Sequence, residues 1–402
     1  MKYISSRWIG SNRGDLLSRY GVLSALNKYD FSDILVVCKD TSHIPPGYPT
    51  FANGSLYNLF LPLTNLRAFL RAKIALYIAG LDLQDDSSLV KLIHVYLVFL
   101  SYRALGLKIF VLMQGAGPIT TRWGKIMTRM ILNSIETIIV RDSKSLELLE
   151  SLNSKAKLIQ GYDGILAGEF GGIIPDDESA EVSGYISKAP TQPLIGFNLR
   201  RWFHFGSSVL PYQFSQNKYA QRSQERMAEF VLASTKYIKM LREQLNARVV
   251  LISMYEPGPD PWEDDLPLLQ EVKAQAAFVD DEDVVVADYP FSLLGFCSLI
   301  SKLDLMVGTR LHSTLTALRF NVPAINLNYT LKGRAIFNDL GFSNLVVELN
   351  DFIEDPFPTY EMTIKVLDGD PSRLMVADKI EKIIAENEKI LLQAFQAGGK
   401  EG

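Results

Sequence analysis

A chain of 402 residues is too long for one ordinary domain and comfortable for two. Apolar residues make up 48% and charged residues 21%, which is globular composition with enough apolar matter for a core in each half. The formal net charge of −4 speaks against a general nucleic-acid binder, which would show a basic excess. A few local Arg and Lys can still dominate one pocket and hold an anionic small molecule.

The opening stretch, "MKYISSRWIGSNRGD", has no apolar run of the kind a signal peptide needs, so a cytoplasmic protein is expected. Within it, "GSNRGD" reads as a Gly turn with Asn12, Gly14 and Asp15, capped by Asp15, and a helix follows over Gly14–Asn27. The apolar runs "DILVVC", "IALYIAG", "KIFVLMQG" and "TIIVRD" have strand length. The region from Leu89 to Gly115 is the most apolar of the chain, but Lys91, His94, Arg103 and Lys108 interrupt it and Ala104–Gly106 breaks it. A membrane span needs roughly 18 or more clean apolar residues, so this region reads as a buried helix followed by a buried strand. Helical spacing recurs over Thr121–Ser134 and over Ser143–Leu152, with Ser143 placed to cap the latter. Strands that are apolar throughout and separated by helices imply a parallel sheet covered on both faces.

The texture changes over residues 171–193, where Gly, Pro, Ser and acids suggest a linker or long loop. The alternation then resumes. "PLIGFNLR" is a strand, Gln216–Leu245 a long helix, "ARVVLISMY" a strand, "LPLLQEVKAQAA" a helix, "DVVVA" a strand and "SLLGFCSLIS" a helix. "LDLMV" and "PAINLN" are further strands, and an amphipathic helix runs from Ser372 to Phe395. The expected organisation is an N-terminal Rossmann-like domain over 1–185, a C-terminal one over 190–371, and a C-terminal helix and tail over 372–402. Two such α/β domains face each other across a cleft, and ligands bind beyond the carboxyl ends of their strands. Cys38 and Cys297 lie far apart in apolar runs and read as small buried hydrophobes.

Several strand ends carry chemistry. "LDLMVGTRLHSTLTALRF" sets Gly308, Thr309, Arg310, His312 and Ser313 at a strand-to-helix corner, with Thr309 as N-cap. A helix start supplies backbone N–H groups to an anion, Arg310 a guanidinium fork, and His312 a group that can exchange a proton near neutral pH. A structural His beside an Arg in a surface ion pair accounts for the same residues. Arg141 and Asp142 end another strand, and Lys332 follows a third. "GAGP", from Gly115 to Pro118, permits close backbone approach to a ligand but lacks dinucleotide or P-loop spacing. Arg200 and Arg201 follow "PLIGFNL", with Trp202 and His204 near enough to meet a sugar. The acidic run from Asp280 to Asp283 reads as a solvated loop rather than a Mg²⁺ site.

Taken in order, "GSNRGDLLSRYGVLSAL", "MQGAGPI", "VRDSKSLELLESL" and "GTRLHSTLTALRFNVPAINLNYTLKGRAIFNDLG" resemble the polysaccharide pyruvyl transferase family. The last segment is the most characteristic, an Arg-Leu-His followed by a Val-Pro strand, a Tyr and a Lys. The chain departs from the family pattern at "YIAGLDLQDD", which has the single Gly80, and around Tyr162 and Asp163, which match the family's aspartate segment loosely. The resemblance implies a GT-B-like pair of domains in exopolysaccharide biosynthesis. It implies transfer of pyruvate from phosphoenolpyruvate, the donor substrate, to two hydroxyls of a sugar, which gives a cyclic ketal. It also implies a donor site of Arg141, Arg310, His312 and Lys332, to which Thr309 and Ser313 belong by position. In this scheme His312 is the acid–base group, Arg310 acts with it, and neither a metal nor a further cofactor is required. The acceptor would lie on the N-terminal side, against Asn12, Asp15, Gly115 and Gly117, with Arg200 and Trp202 opposite. A lipid-linked oligosaccharide acceptor would set the work at the inner face of the membrane, with peripheral contact; oligomeric state is open. The competing expectations are a GT-B glycosyltransferase using a nucleotide sugar, or a non-catalytic sugar-binding protein of the same fold.

Overall fold

Strands buried on both faces are stable only between two layers of helices, and both halves of the chain are built in this way. The structure, a computed structural model, describes residues 2–8, 12–31, 33–38, 44–45, 47–52, 66–78, 80, 83–85, 89–170, 180–187, 189, 191–201, 216–255, 264–276, 282–287, 292–369 and 373–399. In the first half β1 (Tyr3–Trp8), α1 (Arg13–Lys28), β2 (Ile34–Cys38), β3 (Thr50–Ala52), α2 (Leu66–Arg71) and β4 (Ile74–Ile78) come first. They are followed by α3 (Leu89–Ala104), β5 (Lys108–Gln114), α4 (Arg122–Leu132), β6 (Thr137–Val140), α5 (Ser143–Glu150) and β7 (Lys157–Gln160). The second half begins with α6 (Ala180–Ile186), β8 (Leu194–Asn198), α7 (Gln216–Leu245), β9 (Arg248–Ile252), α8 (Leu266–Gln275), β10 (Val284–Ala287) and α9 (Leu293–Ser301). It continues with β11 (Leu305–Gly308), α10 (Leu311–Arg319), β12 (Ala324–Asn328), α11 (Leu331–Asp339), β13 (Val346–Glu348), α12 (Leu349–Glu354), α13 (Phe357–Leu367) and α14 (Arg373–Gly399).

Both sheets are parallel and share one winding. The first runs β3-β2-β1-β4-β5-β6-β7 and the second β10-β9-β8-β11-β12-β13. Strand order therefore reverses between β1 and β4 in one sheet and between β8 and β11 in the other. At such a reversal the connecting helices leave on opposite faces and open a crevice beyond the strand ends. The expected doubly wound halves are thus present.

Details differ from the sequence expectations for physical reasons. β1 was not expected as a strand, because Ser5 and Ser6 dilute its apolar pattern; Ser5 is nevertheless fully buried between β2 and β4. Residues 171–179 of the expected linker lie outside the described residues, but Ala180–Ile186 is a helix rather than loop, since Val182 enters the core of the second half. The helix expected to be buried, α3, is buried along one face only, through Leu92, Val95, Val98, Phe99 and Tyr102. Asp283 of the acidic run is not simply solvated: it pairs with Arg248 at 3.2 Å and with Arg242 at 3.0 Å. Neither cysteine forms a disulfide and both are buried, and burial pushes the Cys297 thiol up.

The two halves share apolar matter. Leu16, Leu17 and Tyr20 of α1 and Ile165 and Leu166 of a 3₁₀ turn belong to the same core as the strands of the second sheet. Helix α14 ties them again. Val376 and Ile380 sit in that core, while Leu391, Ala394 and Phe395 enter the core of the first half. The Phe395 ring lies 5.7 Å from Tyr3, 5.1 Å from Phe31 and 5.9 Å from Phe110. Phe395→Ala should therefore cost about 3–5 kcal/mol through loss of burial and an unfilled cavity. Urea unfolding followed by circular dichroism measures this; a loss within about 0.5 kcal/mol, as for a surface change, would show that α14 does not anchor there.

Candidate functional site

The site is assembled where the two reversals meet. Arg13 N donates to Met254 O at 3.0 Å, and Asn12 forms a bridge with Tyr255, so the β1–α1 turn is hydrogen-bonded to the chain leaving β9. Asn12, not Asp15, caps α1: its Oδ1 accepts from Gly14 N at 3.0 Å. Asp15 is half-buried in the first turn, where a carboxylate favours the helix dipole. A Cβ on Gly14 would overlap Cβ, Cγ and Nδ1 of His312. Only glycine lets α1 begin directly against that imidazole.

His312 is in the first turn of α10, which starts as β11 ends. The N-cap of α10 is Arg310, one residue later than expected, and no side chain caps this helix. Thr309 is buried with its N–H on Asn198 O at 3.1 Å. Ser313 is buried too, and its hydroxyl donates to Arg310 O at 2.7 Å. Both residues hold the corner together, as does Asn198, whose Oδ1 accepts from Arg310 N at 3.1 Å.

From the first half, Asp163 and Arg141 reach His312. Its Nε2 lies 3.3 Å from Asp163 Oδ2, 3.4 Å from Arg141 NH1 and 3.5 Å from Ser18 Oγ. Arg141 NH1 donates to Asp163 Oδ2 at 2.9 Å, and Ser18 Oγ donates to Asp163 Oδ1. Asp163 is 1% exposed, so its charge is held by these partners and by Ile165 N at 3.1 Å. Burial by itself would raise its carboxyl. The charge and hydrogen bond of His312, then Arg141 and Ser18, outweigh burial and hold it well below the usual carboxylate range. Arg141 pairs with Asp163 and not with its neighbour Asp142. Asp142 instead caps α5 in place of Ser143, accepting from Ser145 N at 2.7 Å. Ser143 turns to the other half, where its N–H and hydroxyl donate to Asp339 at 2.7 and 2.9 Å.

Arg310 is equally engaged. Its Nε lies 3.1 and 3.0 Å from the two Asp265 oxygens and its NH2 2.7 Å from Oδ1, while its guanidinium carbon lies 5.4 Å from the Tyr255 ring centroid. The fork expected to face a ligand thus faces a buried carboxylate. Burial pushes the Asp265 carboxyl up, against the opposing charge of Arg310. Arg200, at the end of β8, donates to Tyr329 Oη at 2.6 Å. Lys332 is half-buried in the first turn of α11, capped by Thr330. Because β8, β11 and β12 are neighbours, Arg200, Arg310 and Lys332 share one sheet edge.

The remaining expected residues have other surroundings. Gly115 and Gly117 lie in a buried turn, held by Ala116 N on Ser145 Oγ at 2.9 Å and by Gly117 N on Leu83 O at 2.6 Å. Trp202 and His204 lie outside the described residues. Ser18, Asp163, Asn198 and Asp265 were not expected in the site. A Ser inside an amphipathic helix and an Asp in the run "EDDLP" have no local mark, because their partners are far away in sequence.

Two Rossmann-like halves meeting at their strand reversals and joined by a returning helix define a GT-B-like α/β protein. The fold matches solved structures along their length. A putative UDP-N-acetylglucosamine 2-epimerase from Listeria monocytogenes aligns over 100% of this chain and 97% of its own, with TM-score 0.62 and 12% identity. A UDP-GlcNAc 2-epimerase from Neisseria meningitidis bound to UDP-GlcNAc aligns over 99% and 100%, with TM-score 0.57 and 12% identity. At such identity the likeness is one of fold. The chain belongs to the polysaccharide pyruvyl transferase family, whose model matches residues 12–330. The amylovoran biosynthesis protein AmsJ of Erwinia amylovora is 21% identical over 250 residues, 61% of this chain and 55% of AmsJ. The chain thus spans about half the length of that relative.

A carboxyl depressed on folding adds stability above its unfolded pKa of about 3.9, and this is lost as pH falls through the folded value. Wild-type stability should therefore fall below about pH 5. Asp163→Asn should flatten that slope and cost about 3–5 kcal/mol near pH 7, because Arg141 stays buried without its carboxylate. Urea titrations of both proteins across the acid range check this; parallel pH profiles would show that Asp163 is not the ionised partner.

Proposed function

We propose that this protein moves pyruvate from phosphoenolpyruvate onto two hydroxyls of a sugar in a polysaccharide precursor, forming a cyclic ketal. The observation that carries the proposal is His312, a side chain able to exchange a proton near neutral pH, seated between the two strand reversals against Asp163, Arg141 and Ser18. The cations on the neighbouring sheet edge and the start of α10, which no side chain caps, suit a ligand that carries both a carboxylate and a phosphate.

In the proposed reaction His312 delivers a proton to C3 of the enol, which makes C2 oxocarbenium-like. A sugar hydroxyl attacks C2, and the C2–O bond to phosphate breaks. The second hydroxyl then adds to C2 and closes the ring. Of the two hydroxyl protons, one balances the proton spent on C3 and the other leaves with phosphate. Asp163 positions His312 through Nε2. Arg310, oriented by Asp265, and Lys332 balance the donor's negative charge, and Arg141 does so from the opposite half. The acceptor lies on the side of α1 and the Gly115–Gly117 turn. The scheme calls for no metal and no cofactor beyond the donor substrate. AmsJ, named for amylovoran biosynthesis, supports an exopolysaccharide setting.

A thermal-shift titration tests the donor. Phosphoenolpyruvate should raise the melting temperature in proportion to the logarithm of its concentration, whereas UDP-glucose and GDP-mannose should not. A shift with a sugar nucleotide alone would make the protein a glycosyltransferase instead. His312→Ala should lower transfer by about 10²–10⁴-fold and leave the melting temperature within a few degrees, since Arg141 and Ser18 still satisfy Asp163. Severe unfolding of that variant would mark His312 as structural.

Arg310→Lys should raise the dissociation constant for phosphoenolpyruvate about tenfold or more, because a point charge cannot reproduce the fork that Asp265 orients. Calorimetric titration reads this directly, and unchanged affinity would remove Arg310 from the donor site.

A further inference from the structure

Helices α2, α3 and α4 cover one face of the first sheet, where Phe69, Phe99 and Ile131 share a core, while α1 and α14 cover the other. The outward side of these three helices is apolar where a solvated face would be polar. On α3, Val90, Ile93, Leu97 and Leu100 follow one another at helical three- and four-residue steps and are all exposed. On α4, Trp123, Ile126 and Met130 do the same, and Trp123 is 68% exposed. Leu66 and Leu70 add a third row from α2. Helix α3 packs beside both neighbours: it contacts α4, and its Tyr102 ring lies 5.4 Å from Phe69 of α2. The three rows therefore lie side by side, and a contiguous apolar surface of this kind marks an interaction site.

The charges say what covers it. Helix α2 carries Arg67 and Arg71, α3 carries Lys91 and Arg103, and α4 carries Arg122, Lys125 and Arg129. None of the three helices contains an acidic residue, although the chain as a whole has net charge −4. Arg103 pairs with Glu136 at 2.8 Å, whereas Arg67, Arg71, Arg122, Lys125 and Arg129 are exposed. A second copy packed on this face by two-fold symmetry would set cations against cations. Apolar rows, an exposed Trp and exposed cations together match an anionic bilayer surface. We propose that the α2–α3–α4 face docks the protein on anionic lipid.

The placement has a functional consequence. Helices α3 and α4 start beyond the carboxyl ends of β4 and β5, the same sheet edge from which Arg141 emerges after β6. Asp85 links the two starts, accepting from Thr120 N at 2.8 Å and Thr121 N at 2.7 Å just ahead of α4. A bilayer on this face would therefore border the candidate site. Docking itself does not depend on which group is transferred.

Co-sedimentation of the full chain with vesicles tests this, using phosphatidylglycerol mixed with phosphatidylcholine beside phosphatidylcholine alone. The protein should sediment with the anionic vesicles at low salt and be released as salt rises. Each cation near such a surface is worth roughly a factor of five in partitioning. Arg122→Glu, Lys125→Glu and Arg129→Glu combined should therefore weaken binding by about 10²-fold or more. Trp123→Ser with Ile126→Ser should weaken it as well, and neither variant should lower the melting temperature, because these side chains are exposed. The proposal fails if the wild type ignores anionic vesicles, binds neutral ones equally, or binds no better than the variants. It also fails if sedimentation equilibrium shows a dimer that the same substitutions dissociate, while vesicles bind nothing.

Discussion

A buried carboxylate needs partners, and the Asp163 carboxylate at the junction of the two halves sets much of what surrounds it. Leaving such a group unpaired would cost several kcal/mol. Its partners come from three separate elements: Ser18 from α1, Arg141 from the end of β6 and His312 from the start of α10. Each of them is tied to that one carboxylate. The relative position of the halves and the geometry of the candidate site are therefore one problem with one solution. Helix α14 reinforces it, since Asn387 donates to Asp163 O at 3.1 Å and Leu166 O at 2.9 Å and accepts from Tyr162 N at 3.0 Å. The strap that joins the halves also holds the backbone that carries the carboxylate.

The division of labour between the halves is unequal. The first half supplies Asp163, Ser18 and Arg141, and the second supplies His312 on a helix start together with Arg200, Arg310 and Lys332. Arg310 is fixed by a second buried carboxylate, Asp265, and by the Tyr255 ring. Cations fixed in this way lose little further freedom on meeting an anion, so more of the contact energy appears as binding. The cost falls on the folded protein, which keeps two carboxylates out of water on behalf of the site.

The outer face of the first sheet follows another logic. Its helices bury one side and leave a cationic, apolar side open, whereas on the opposite face α1 is buried along most of its length and α14 buries one side. Under the docking proposed above, one face serves packing and the other meets a lipid boundary.

Much of this was legible in the order of residues. Strand-length apolar runs separated by helical spacing specified two parallel sheets, because a strand that is apolar on both sides has no other stable environment. The bounds of α7, Gln216–Leu245, and the corner holding Arg310 and His312 followed from local pattern and from the family's ordered motifs. Caps were less legible: Asn12, Asp142 and Arg310 begin their helices where Asp15, Ser143 and Thr309 were expected, since neighbouring polar residues compete for one role and packing chooses. Ser18 and Asp265 could not be read at all, and Asp163 only as a loose match to the family's aspartate segment. Their meaning lies in contacts with His312, Arg141 and Arg310 that span 22 to 294 residues of chain. Such pairings leave no periodicity in the sequence and arise only when the sheets close on one another. Sequence alone therefore determined the layers and the motif, and tertiary structure decided which charges face each other inside them.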